Sequence, residues 1–208
     1  MYFCFDTSSD STLLALFKSK DDFVYKKHYA VRRHSKMLLT WTEELLKEAG
    51  ISKGKITGII CMVGPGSYTG LRVGVAHANA LAFGLGVPLS GINKYEIANE
   101  VYKEQYKTFN MVVPSYLDNV LMCKGGVGFD TKSCIMRSGD KVSRIAGTTI
   151  LISDKTLTDK EKPMYADEVC YYQHKSILPI WFELGKKRLR KDVLVEPVYF
   201  MGAVRKKK

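Results

Sequence analysis

Apolar positions near the start of the chain come in short blocks separated by polar turns. Tyr2–Phe5 is an apolar run, Asp6-Thr7-Ser8-Ser9-Asp10 is turn-like, and Ser11–Phe17 resumes the apolar pattern. Lys20-Asp21-Asp22 then leads into the aromatic and β-branched stretch Phe23–Tyr29, so three meandering strands are expected. The period changes at about Ser35. Leu38, Trp41, Leu45 and Ala49 share one face of a helix that Gly50 stops. Ile56–Val63 is continuously apolar, the pattern of a buried parallel strand, and it runs into Gly64-Pro65-Gly66-Ser67-Tyr68-Thr69-Gly70. A helix over Leu71–Leu85, a stop at Gly86 and a strand over Val87–Ile92 follow. Antiparallel strands followed by alternating strands and helices predict an α/β fold with a mixed sheet covered by helices.

Later positions are patterned less strongly. A helix capped by Asn93 is expected over Asn93–Tyr106, strands near 111–113, 119–123, 133–136 and 149–152, a helix over Ile177–Arg190 and a last strand over Val193–Tyr199. The expected division is a lobe of residues 1–95 and a smaller, turn-rich lobe of residues 96–208.

Composition narrows the class. With 46% hydrophobic and 25% charged residues the chain is neither disordered nor fibrous. The most apolar window, Leu71–Ile92, contains Arg72, His77, Asn79 and Pro88 and predicts no membrane span, and the opening Met1–Asp6 does not read as a signal peptide. Of the net charge of +11, the stretch from Lys186 onward carries +7, nine basic residues against Asp192 and Glu196. Such a cluster attracts phosphate backbones or serves as a solvated tail. Five cysteines, an odd number with no CxxC pair, argue against a disulfide framework, and Cys4, Cys61 and Cys123 sit in apolar runs as small buried hydrophobes. A reducing cytoplasm is therefore expected.

Candidate chemistry concentrates between Gly64 and Gly74. A strand, a glycine-rich loop and a helix N-terminus expose backbone amides to an anion. Yet no Lys follows Gly70 as a Walker loop requires, and the third glycine is one residue late for a dinucleotide fingerprint. Along the helix Gly70, Gly74, Ala78, Ala82 and Gly86 recur every four residues. Glycine costs about 1 kcal/mol in a helix interior, so a close backbone approach is expected at this stripe. Two neighbours fit it, the chain's own sheet or a second subunit. No histidine pair has the i, i+4 spacing of a helical metal site, and Ser67 and Thr69 lack an evident base. Asp6 is expected to cap its own turn.

The run Gly64-Pro65-Gly66-Ser67-Tyr68-Thr69-Gly70-Leu71-Arg72-Val73-Gly74 resembles the hallmark of the TsaB (YeaZ) family. Phe5-Asp6-Thr7-Ser8, Arg33-His34-Ser35 ahead of Leu38-Leu39, Gly86-Val87-Pro88-Leu89 and Glu196-Pro197-Val198-Tyr199 are similar to other family segments. The likeness is strong over residues 1–100. The Asp-Ala-Arg pattern that opens the family's second lobe is absent from Ser115–Met122.

The resemblance implies an actin-like ATPase (ribonuclease H-like) fold of two lobes and a non-catalytic role in threonylcarbamoylation of tRNA adenosine. It implies a TsaD-like catalytic partner, a TsaE-like ATPase and a homodimer in isolation, with tRNA met indirectly or through the basic C-terminus. The partner face would comprise Leu38, Trp41, Leu45, Gly70, Leu71, Gly74, Ala78 and Ala82, and the conformational loop Gly64, Pro65, Gly66, Ser67, Tyr68, Thr69 and Arg72. Asp6, Thr7 and Ser8 would be a vestigial nucleotide site. No metal and no cofactor would be bound by this chain alone, ATP or ADP being confined to a subunit interface. The competing expectation, from Asp6 and the loop, is an autonomous actin-like ATPase or small-molecule kinase.

Overall fold

The computed structural model describes residues 1–29, 34–115, 119–138, 146–155, 157–158 and 160–199, with backbone only at 34, 35 and 138. The chain divides into two units, residues 1–93 with 174–198, and residues 94–173 with Tyr199.

The first unit is built on strands β1 (Tyr2–Asp6), β2 (Ser11–Phe17), β3 (Phe23–Tyr29), β4 (Gly58–Gly64) and β5 (Leu89–Asn93), in the order β3-β2-β1-β4-β5. β1 pairs antiparallel with β2, and β2 with β3, while β1–β4 and β4–β5 are parallel. Helices α1 (His34–Glu48) and α2 (Tyr68–Leu85) lie on one face. There Leu38, Trp41, Leu45, Val75, Ala78 and Ala82 meet Phe3, Phe5, Leu14, Leu16, Ile59 and Cys61 in a single core. Helix α4 (Leu178–Lys186) covers the other face, with Phe182 stacked on Phe17 at 4.9 Å and the Ser90 hydroxyl donating to the Gly185 carbonyl at 2.9 Å. Covered on both sides, β1, β2 and β4 need continuous apolar runs rather than alternation.

The second unit repeats this plan. Its strands β6 (Thr108–Pro114), β7 (Asn119–Gly126), β8 (Ile135–Ser138), β9 (Thr149–Ser153) and β10 (Glu168–Tyr171) are ordered β10-β9-β6-β7-β8. β6–β7 and β7–β8 are antiparallel, whereas β6–β9 and β9–β10 are parallel. Helix α3 (Lys94–Tyr102) packs on it, its Tyr95 hydroxyl donating to the Leu121 carbonyl at 2.6 Å.

The α/β fold of two mixed sheets is therefore as expected, with four corrections. Residues 174–198, assigned from sequence to the second lobe, belong to the first, because the apolar second face of its sheet requires the cover that Leu178, Trp181 and Phe182 supply. Val193–Tyr199 is no strand but an extended strap: the Asn79 side chain takes both the N–H and the C=O of Val195 at 3.0 Å, and Pro197 has no N–H to offer a ladder. The helix expected to reach Arg190 ends at Lys186, and Asn93 closes β5 instead of capping α3, which stops at Tyr102. Finally, Cys123 and Cys134 form a disulfide across the β7–β8 hairpin, against the reading of Cys123 as a plain buried thiol; Cys4, Cys61 and Cys170 are free and buried.

Candidate functional site

The loop after β4 begins with a cis Gly64–Pro65 peptide and ends where Ser67 caps α2, its hydroxyl accepting from the Gly70 N–H at 3.2 Å. It closes onto the turn between β1 and β2. The Ser67 N–H donates to the Ser8 carbonyl at 2.7 Å, and the Thr7 hydroxyl to the Gly70 carbonyl at 2.7 Å. A Cβ at Gly70 would overlap the Thr7 carbonyl oxygen, and one at Gly74 the Thr7 hydroxyl. The glycines are thus required by the chain's own turn. On the outer side of the loop the Arg72 guanidinium lies 3.9 Å over the Tyr68 ring.

Asp6 does what its position in a turn predicts, accepting the Ser8 N–H at 2.6 Å. Asp6, Thr7 and Ser8 are at most 2% exposed. The loop from Gly66 to Gly70 packs directly against this turn, a Cβ at Gly66 meeting the Ser8 carbonyl oxygen. The described residues contain no group of three or more His, Cys, Asp or Glu able to hold a metal.

The partner-face residues expected from sequence are corrected by the structure. Leu38, Trp41, Leu45, Leu71, Ala78 and Ala82 are all at most 8% exposed, and Gly70 and Gly74 are buried as well, all turned toward the chain's own sheet. α2 carries a second four-residue series, offset by two positions, that points outward. Ala76, Ala80 and Gly84 are exposed, flanked by Arg72 and by Phe83 at 91% exposure. On α1 Leu39 is 53% exposed. The outward series is as legible in the sequence as the inward one; what was missing was the phase of the helix. Near the C-terminal end of α2, Asn79, Ala82, Phe83, Gly86 and Val87 border a groove of about 530 Å³ closed by Lys191–Leu194 of the strap.

Two histidines lie between the helices and the sheet, His28 on β3 and His77 on α2. The His28 ring stacks on Trp41 at 4.4 Å, and the His77 ring meets Phe5 edge-on at 5.5 Å. The Nε2 atoms of both are buried without a hydrogen-bond partner. Burial lowers the pKa of each, and the neighbouring Lys26 lowers that of His28 further. Burial, with Asp6 nearby, pushes the Cys61 thiol up to about 12, so it is inert as a nucleophile.

Residues 27–117 match the family model described as TsaD, tRNA N6-adenosine threonylcarbamoyltransferase. The enzyme of that name from Geotalea uraniireducens is 42% identical over 67 residues, 32% of this chain and only 20% of the enzyme. The tRNA threonylcarbamoyladenosine biosynthesis protein TsaB of Buchnera aphidicola is 23% identical over 196 residues, 88% of this chain and 93% of that protein. Among solved structures, YeaZ from Pseudomonas aeruginosa superposes with a TM-score of 0.69 at 19% identity, over 95% of this chain and 98% of that one. The tRNA N6-adenosine threonylcarbamoyltransferase of Streptococcus pneumoniae is 27% identical over 70% of this chain but only 51% of its own length, while the likeness to Buchnera TsaB and to YeaZ runs the length of both chains. With its Gly64–Gly74 loop folded onto the first turn and its two matching sheets, the chain shares the fold of YeaZ and is similar to TsaB along its length.

Proposed function

We propose that this chain is the non-catalytic subunit of a tRNA threonylcarbamoylating complex, pairing through the outward faces of α1 and α2 with a TsaD-like catalytic subunit. The observation that carries the reading is the exposed Ala76–Ala80–Gly84 series beside Phe83. Small side chains let a second helix approach closely, and a nearly bare phenylalanine supplies an apolar anchor. The burial of Asp6, Thr7 and Ser8 under the loop argues against the competing ATPase or kinase reading. In this reading a TsaE-like ATPase joins the pair, any ATP or ADP sits at a subunit interface, and the same helix face makes a homodimer when the partner is absent.

Co-expression with a tagged TsaD-like enzyme from the same genome tests it. Ala80→Arg should abolish co-elution and threonylcarbamoylation while leaving the thermal midpoint unchanged. Retained co-elution, or ATP turnover by the isolated chain, would overturn the reading.

A further inference from the structure

The first unit gathers positive charge from three distant chain segments at one end of its sheet. β1 and β4 begin at this end and β2 finishes there, because Tyr2 is paired with both Phe17 and Gly58. The β2–β3 turn therefore brings Lys18 and Lys20, and the short 3-10 helix before β4 brings Lys53 and Lys55. The segment after α4 is fastened to the same end. The Leu189 side chain abuts Gly58, the Lys186 ammonium lies 5.7 Å over the Tyr2 ring, and Leu89 and Arg190 exchange backbone hydrogen bonds of 2.9 and 3.1 Å. Lys186, Lys187, Arg188, Arg190 and Lys191 follow it there, all exposed.

Nine basic side chains thus face the acids Asp21, Asp22, Glu43, Glu183 and Asp192. Asp22 takes Lys18 at 3.7 Å and Glu43 takes Lys53 at 2.7 Å. No ion pair among the described residues engages Lys20, Lys55, Lys187 or Lys191. Of the large exposed apolar residues of this unit, Phe83, Val193 and Leu194 border the groove that Lys191 also lines, at the margin of the patch. The patch itself is a concentration of charge drawn from three segments, which is what a polyphosphate chain requires.

We propose that this end of the sheet binds the phosphate backbone of RNA, positioning it without reading its sequence. RNA is chosen on the strength of the functional reading above, whereas the surface itself follows from the topology alone. The test is fluorescence anisotropy of the full chain with a labelled RNA stem-loop between roughly 50 and 200 mM salt, with anionic phosphatidylserine vesicles as the second arm. The unaltered chain should bind RNA, with affinity falling steeply as salt rises. The double variant Lys20→Glu/Lys55→Glu, which lies far in sequence from Lys186–Lys191, should weaken binding about tenfold and flatten the salt slope by about 1.5, the share of two phosphate contacts. Arg190→Glu/Lys191→Glu should do the same. Tryptophan fluorescence of Trp41 and Trp181 verifies that each variant is folded. If Lys20→Glu/Lys55→Glu binds as tightly as the parent, or if the chain takes vesicles and not RNA, or neither, the proposal is overturned. Because Lys20→Glu/Lys55→Glu alters the β2–β3 turn and the 3-10 helix and leaves α2 unchanged, co-elution with the TsaD-like enzyme should survive in it, and Ala80→Arg should leave RNA binding intact. The two readings thus fail separately.

Discussion

The two units run through the same sequence of strand pairings, yet they are dressed differently. In the first, α1 fills the connection from β3 to β4 and α2 that from β4 to β5. In the second, the link from β9 to β10 contains no helix among its described residues, and the corresponding core is the small cluster of Val112, Val120, Met122, Leu151 and Ala166. The disulfide Cys123–Cys134 ties the β7–β8 hairpin. The same strand order is thus covered by two crossover helices in the first unit, whereas in the second α3 packs on one face, with Tyr95, Ile97 and Ala98 buried. The candidate partner face and the basic end both belong to the first unit.

Trp41 and Trp181, the two tryptophans of the chain, report on the first unit alone, and Cys170 is the free thiol of the second. That makes the contrast measurable. The largest effect is expected for Phe182→Ala. It removes a ring stacked on Phe17 and edge-on to Tyr2, and should cost the first unit about 4 kcal/mol in urea unfolding followed by tryptophan fluorescence. Cys170 labelling should be unaffected; exposure of both probes together would mean the units are one cooperative body. Gly74→Leu is next. Its side chain has no room beside Thr7, and a loss of about 3 kcal/mol in the same assay is expected. If this variant is as stable as the parent, the inward phase assigned to the first small-residue series is wrong. Leu151→Ala should act on the other unit, accelerating Cys170 labelling at a cost of about 2 kcal/mol while tryptophan fluorescence stays native.

The smallest effect is that of pH. His28 and His77 both have pKa values held below the usual 6.5 when folded, so the unfolded chain takes up protons first as pH falls. Their neutral forms stabilise the first unit fully above about 6.5, and that contribution is lost as pH drops through 6.5 toward the folded values. The urea midpoint should be lower at pH 5.5 than at 7.5, and less so in His77→Gln; a midpoint independent of pH would exclude this coupling.

Much of the first unit could be read directly. Continuous apolar runs placed β1, β2 and β4, and Gly86 marked the end of α2 with the left-handed conformation of a C-terminal cap, whereas the start expected at Leu71 lies at Tyr68, where Ser67 caps the helix. The second unit was less legible because its strands are short and interleaved with polar turns, so β10 went unseen at Glu168–Tyr171, and nothing in an odd cysteine count singled out the pair that meets across a hairpin. Among candidate site residues, Asp6 behaves as its turn chemistry requires, whereas Leu38, Trp41, Leu45 and Gly74 proved to be core.

The sequence by itself determined where β1 to β5, α1 and the body of α2 form and that α2 must press closely on something, since spacing, stops and glycine cost are local matters. Which side of α2 faces inward was decided only by tertiary structure. That helix is apolar almost all the way round, from Leu71 through Val75, Ala76 and Ala80 to Phe83, so neither stripe of small residues is favoured until Thr7 takes one of them. The charged end was hidden for a related reason. Lys20, Lys55 and Lys187 are remote along the chain, and they meet because β1 pairs with β2 and β4 at once while the segment after α4 is fastened beside them.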